Sequence, residues 1–154
     1  MNPKLIAAIL IFVLACVFPN TGFFSIFGIK PNLLLAALVA LSFFVKDILV
    51  YSSFILAAVI LLFFQSGIMA EQLVLALIGL AAFPVGRRLP GSPLFNNLLM
   101  VGAGTILFYL FVAPSFLISA WPAVIGELVY NLLWGFIFFN IFERCLKTNS
   151  ILRT

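Results

Sequence analysis

Residues 28–47 read GIKPNLLLAALVALSFFVKD, an unbroken apolar stretch with a lysine near each end. Fifteen residues separate Lys30 from Lys46. As an α-helix they rise about 22 Å, against roughly 30 Å for the hydrocarbon core of a bilayer. Whether this segment crosses a membrane or only enters it decides the side on which the flanking segments lie, so the topology turns on it.

The rest of the chain is of the same kind. Of 154 residues, 66% are hydrophobic and 8% are charged, with a mean hydropathy of +1.34. A soluble domain with so little charge would lack a polar surface. The apolar runs are long and continuous rather than alternating, which implies an all-α integral membrane protein forming a single transmembrane domain. The longest polar connection, GRRLPGSP at 86–93, is a short loop. The net charge of +4 comes from basic residues that flank the apolar runs and does not indicate nucleic-acid binding.

Six runs can be marked, with expected spans at 4–18, 31–46, 48–64, 71–86, 94–117 and 123–142. Most prolines fall near their ends, Pro31 and Pro114 among them, where a missing N–H does least harm. Pro84 lies inside the fourth run and predicts a kink or an early fray. With six crossings, Lys4, Lys46, Arg87, Arg88, Arg144, Lys147 and Arg153 gather on the cytoplasmic side and Lys30 lies opposite. Five crossings, with the second run only dipping in, give an equally strong split. Three features favour crossing. The α-amino charge beside Lys4 favours an inside N-terminus. Lys30 and Lys46 can snorkel outward from a short span. Pro31 suits the first turn of a helix that continues to Val45. Both termini are then expected in the cytoplasm. Lys46, Arg87, Arg88, Arg144 and Lys147 are expected to set orientation and touch lipid headgroups. The aromatic segment 20–30 is expected along the outer interface.

Polar groups inside a membrane are costly unless paired or near water, so they mark chemistry. Asp47, Glu71 and Glu143 read as boundary charges. Glu127 does not: it lies one turn inside the last run, and Glu127, Asn131 and Trp134 follow an i, i+4, i+7 spacing that places them on one face. That face is expected to line a small polar cavity or dock a partner's helix. The alternative is that Glu127 reaches the headgroups and Asn131 bonds a neighbouring helix. Asn140 is expected to make an interhelical amide bond. Histidine is absent, and Cys16 and Cys145 are the only cysteines, so a zinc site and a histidine triad are excluded. Val13–Cys16 mimics the end of a lipoprotein signal, but the residues beyond Cys16 return to membrane-like sequence rather than to a soluble domain. No catalytic constellation and no cofactor motif is present. The expectation is a non-enzymatic protein.

Three stretches together resemble the MreD family of bacterial rod-shape-determining proteins. GIKPNLLLAALVALSFF at 28–44 resembles the Pro-Asp-Leu-Leu-Leu opening of that family's second helix. SGIMAEQLVLALIGLAAFPVGRRL at 66–89 resembles the stretch that ends in a Gly-Arg pair. ELVYNLLWGFIFFNIFERCLK at 127–147 resembles the last helix. Asn32 stands where the family has aspartate, and LLFFQSG at 61–67 replaces a family acidic position. The resemblance implies a multi-pass inner-membrane scaffold of the lateral cell-wall elongation machinery. Its implied partners are an MreC-like single-span protein and, through it, the transpeptidase–glycosyltransferase pair and the MreB filament. It also implies a fold similar to the six-helix substrate-binding subunits of energy-coupling-factor vitamin transporters. Capture of a vitamin-like small molecule is therefore the competing expectation. Pro31 and Asn32 join Glu127, Asn131 and Trp134 as candidate ligand- or partner-binding residues.

Overall fold

The computed structural model describes residues 3–17, 28–66 and 70–146. Lys147, Arg153 and most of the aromatic segment 20–30 lie outside them. The described residues form seven α-helices and no strand: α1 (Pro3–Val17), α2 (Leu33–Ser42), α3 (Ile48–Ser66), α4 (Ala70–Arg88), α5 (Pro93–Val112), α6 (Pro114–Ser119) and α7 (Trp121–Leu146). Helices α4, α5 and α7 are long and apolar enough to cross a membrane. Side chains such as Leu77, Phe111 and Val129 lie exposed along them, as helices bathed in lipid would have.

The opening stretch is the core of this bundle. All ten residues of α2 are buried, and the helix packs against α7, α4, α5, α1 and α3. It is shorter than the expected 31–46. Asn32 caps its start, its side chain accepting from the Leu35 amide at 3.1 Å. The last turn tightens at Phe43, whose amide bonds Ala40 O at 3.3 Å. Ten residues rise only about 15 Å, half of a hydrocarbon core. A helix that touches no lipid has no need to match lipid thickness. The backbone on either side can leave the helical form because protein, rather than hydrocarbon, surrounds it. Pro31 and Val45, which flank the helix, are buried.

Three other expectations are corrected. The fifth run does not form one helix over 94–117: α5 stops at Val112, and Pro114 starts the six-residue α6. Pro114 lacks the N–H that would continue the ladder and disfavours helical backbone at Ala113. Pro84 causes no fray, because α4 continues a further turn to Arg88. Arg87 and Arg88 therefore belong to the last turn of α4 rather than to a loop, where cations complement the helix dipole. The turn into α5 needs Gly91, at φ +117°, and is tied down by Asn96 Nδ2 donating to Leu89 O at 3.0 Å.

Tyr51 fastens α3 to the core. It is fully buried, and its hydroxyl lies 3.1 Å from Leu38 O on α2 and 2.9 Å from Gly79 O on α4. Its ring stacks on Phe83 at 5.2 Å. Small residues set the approach of α5 to α7 and to α4. A Cβ on Gly135 would sit 3.0 Å from Val101 Cγ2, and one on Gly104 would sit 3.2 Å from Ile78 Cγ2.

Candidate functional site

Helices α5 and α7 run antiparallel and meet along two stripes of i, i+4 spacing. Asn97, Val101, Thr105 and Tyr109 form the stripe on α5; Glu127, Asn131 and Gly135 form the one on α7. Asn97 Nδ2 donates to Gly135 O at 3.0 Å, Asn131 Nδ2 donates to Thr105 Oγ1 at 3.1 Å, and the Tyr109 hydroxyl donates to Glu127 Oε2. The Thr105 hydroxyl in turn donates to Val101 O at 2.9 Å. The result is a polar ladder between two otherwise apolar helices. The carboxylate sits at one end and amides lie along its length.

Asn131 is the centre of the ladder. It is fully buried, and its Oδ1 accepts the Asn32 backbone N–H at 2.7 Å. That N–H stands just before α2, where the helix cannot satisfy it. The same side chain also interacts with Glu127. One amide thus joins α7, α5 and the start of α2. Nearby, Gly126 accommodates the Ile29 side chain, so the approach to α2 lies across the first turns of α7.

The candidate residues divide between two places. Glu127, Asn131 and Asn32 come together in the ladder, with Pro31 buried beside them. Trp134 does not join them. It lines an apolar cleft of about 170 Å³ with Ile11, Leu14 and Ala15 of α1, Leu33 of α2, and Phe138. It also packs on Phe138 at 5.5 Å between centroids. One azimuth of α7 meets α5 near the helix start and α1 farther along, because neighbouring helices cross at an angle. Among the described residues Asn140 makes no interhelical bond through its amide nitrogen. It donates to Phe136 O of its own helix at 2.7 Å.

Sequence reasoning passed over Thr105, Tyr109 and Asn97. Their signal was present: polar residues at multiples of four in an apolar run mark one helix face. It also underrated Arg87. This side chain reaches back over the chain beyond the end of α2 and donates to Val45 O and Lys46 O, both at 2.7 Å. Its guanidinium lies 3.8 Å above the Phe83 ring. Arg88 and Arg144 are exposed, and among the described residues no hydrogen bond or ion pair engages Arg88.

Chemically the ladder offers neutral donors and acceptors and the Glu127 carboxyl group, and its groups are bonded except for the buried Asn97 Oδ1, which has no hydrogen-bond partner among the described residues. Among the described residues no three of His, Cys, Asp or Glu gather in a way that would hold a metal ion. The fold and composition together define an all-helical protein of membrane type. No protein-family model, curated protein or solved structure matches this chain.

Proposed function

We propose that this chain is a non-enzymatic, MreD-like inner-membrane scaffold of the bacterial lateral cell-wall elongation machinery. In this reading it crosses the membrane six times, keeps both termini in the cytoplasm, and receives the single transmembrane helix of an MreC-like protein. Through that protein it reaches the transpeptidase–glycosyltransferase pair and the MreB filament. The resemblance in three stretches suggests the family. One structural observation favours a scaffold over capture of a vitamin-like molecule: Glu127 and Asn131, the groups a polar ligand would need, are engaged by Tyr109, Asn32 and Thr105. Trp134 lies in a cleft whose rim includes the exposed Leu14, and this reading seats the partner helix there.

Association inside lipid gains little from apolarity, since lipid tails are as apolar as leucine; it comes from close packing. The test is co-purification from the native membrane with a photo-crosslinker at Leu14. The expected product is a single-span protein with a periplasmic coiled coil. Co-purification of a vitamin-like small molecule that Trp134→Ala removes would replace the scaffold reading with the transporter subunit. Labelling of an N-terminal cysteine from outside intact cells would break the six-crossing topology.

A further inference from the structure

A groove of about 510 Å³ runs between α4 and α5 on the outside of the bundle. Ala81, Ala103 and Gly104 contribute small residues to it, and Leu77, Leu107 and Phe111 contribute larger ones. It extends along the helices from Val85 and Met100 at one end to Val74 and Phe111 at the other. Val85 lies eleven positions after Val74 on α4, so the groove is about 16 Å long. The α4 residues that line it recur at 74, 77, 78, 81 and 85, a single helix face. The next position on that face is Arg88, one turn beyond Val85.

Arg88 differs from its neighbour. Both are exposed, but Arg87 donates to the Val45 and Lys46 carbonyls and covers the Phe83 ring, whereas among the described residues no hydrogen bond or ion pair engages Arg88, which continues the lining face one turn past Val85. An occupant that complements both features has a flexible apolar tail and a negative head. We propose that the α4–α5 groove is a binding site for an anionic phospholipid, with one acyl chain lying along Ala81, Ala103 and Gly104 and the phosphate at Arg88. The charge complementarity at one end and the apolar lining argue for this lipid over a transmembrane helix. A helix would bury the same groove without any need for the cation. The proposal requires only that the chain lies in a membrane, and it is independent of the scaffold reading.

The test is native mass spectrometry of the purified protein in mild detergent with equal phosphatidylglycerol and phosphatidylcholine. The protein is expected to retain one lipid, with phosphatidylglycerol favoured about fivefold, the ratio that one basic side chain near the surface supports. Arg88→Gln should keep the lipid and lose the preference. Ala81→Leu with Ala103→Leu should fill the groove and lose both lipids; both positions are exposed, so the core need not move. A second measurement leaves Ala81 and Ala103 in place. Leu107→Trp should add fluorescence that brominated phosphatidylglycerol quenches more than brominated phosphatidylcholine, and Arg88→Gln should erase that difference. Equal retention of the two lipids, or a preference that survives Arg88→Gln, would overturn the proposal. So would unchanged lipid retention in the filled variant, if it folds. A photo-crosslinker at Ala103 that captures another protein's helix would also overturn it and make the groove a protein interface.

Discussion

The two ends of α2 leave the helical form at the same kind of place and are held by different chemistry. At its start, the neutral Asn131 amide accepts the Asn32 N–H from a fully buried position on α7. At its far side, the Arg87 cation of α4 donates to the Val45 and Lys46 carbonyls from an exposed position. The first site lies where water does not reach, and a charge there would carry a large desolvation penalty. The second lies at the edge of the bundle, where a guanidinium keeps part of its hydration and covers Phe83 with its flat face. The non-helical backbone at each end of α2 thus meets a partner side chain, neutral where it is buried and charged where it is exposed.

Breaking each end separately sharpens the contrast. The largest effect is expected from Asn131→Leu, which leaves the Asn32 N–H and the Thr105 hydroxyl without their partner. A buried unsatisfied group costs about 1–3 kcal/mol in a protein interior, so a loss near the upper limit is expected. Unfolding in a denaturing-detergent titration measures it, and a loss below about 0.5 kcal/mol would mean that the N–H finds another acceptor.

Arg87→Gln should cost less, about 1–2 kcal/mol, because water and headgroups can reach the freed carbonyls. Arg88→Gln should change stability by no more than about 0.5 kcal/mol, as for a surface substitution away from any network. The same titration compares the two neighbouring arginines, and equal effects would remove the distinct role given to Arg87. Thr105→Val should cost about 0.6 kcal/mol, the average for one interhelical hydrogen bond in a membrane protein. A loss as large as that of Asn131→Leu would show that the ladder acts as one cooperative network rather than through its central amide.

Much of the architecture was legible in the residues because hydropathy and proline placement act locally. The apolar runs located the helices, and Glu127 and Asn131 stood out because a polar residue in such a run is rare. Other features were illegible because they depend on neighbours distant in sequence. Trp134 shares the azimuth of Glu127 yet faces α1, since helix crossing decides which partner lies over each turn. Arg87 and Arg88 are adjacent and chemically identical, but helical rotation turns one onto the chain after α2 and turns the other away from it.

The sequence by itself determined that this is an all-α protein of membrane type, because 66% hydrophobic residues in long runs can satisfy their backbone only as helices. It also determined where most of those helices start and stop, since proline and polar residues act on their own neighbours. Only the tertiary structure decided that the short second run is the buried centre. Length and hydropathy are the same for a helix in lipid and for one enclosed by five others, and surrounding protein alone removes the need to match bilayer thickness. The tertiary structure also decided that Asn131, 99 residues beyond Asn32, meets its backbone, because that contact exists only once α7 has packed across the start of α2.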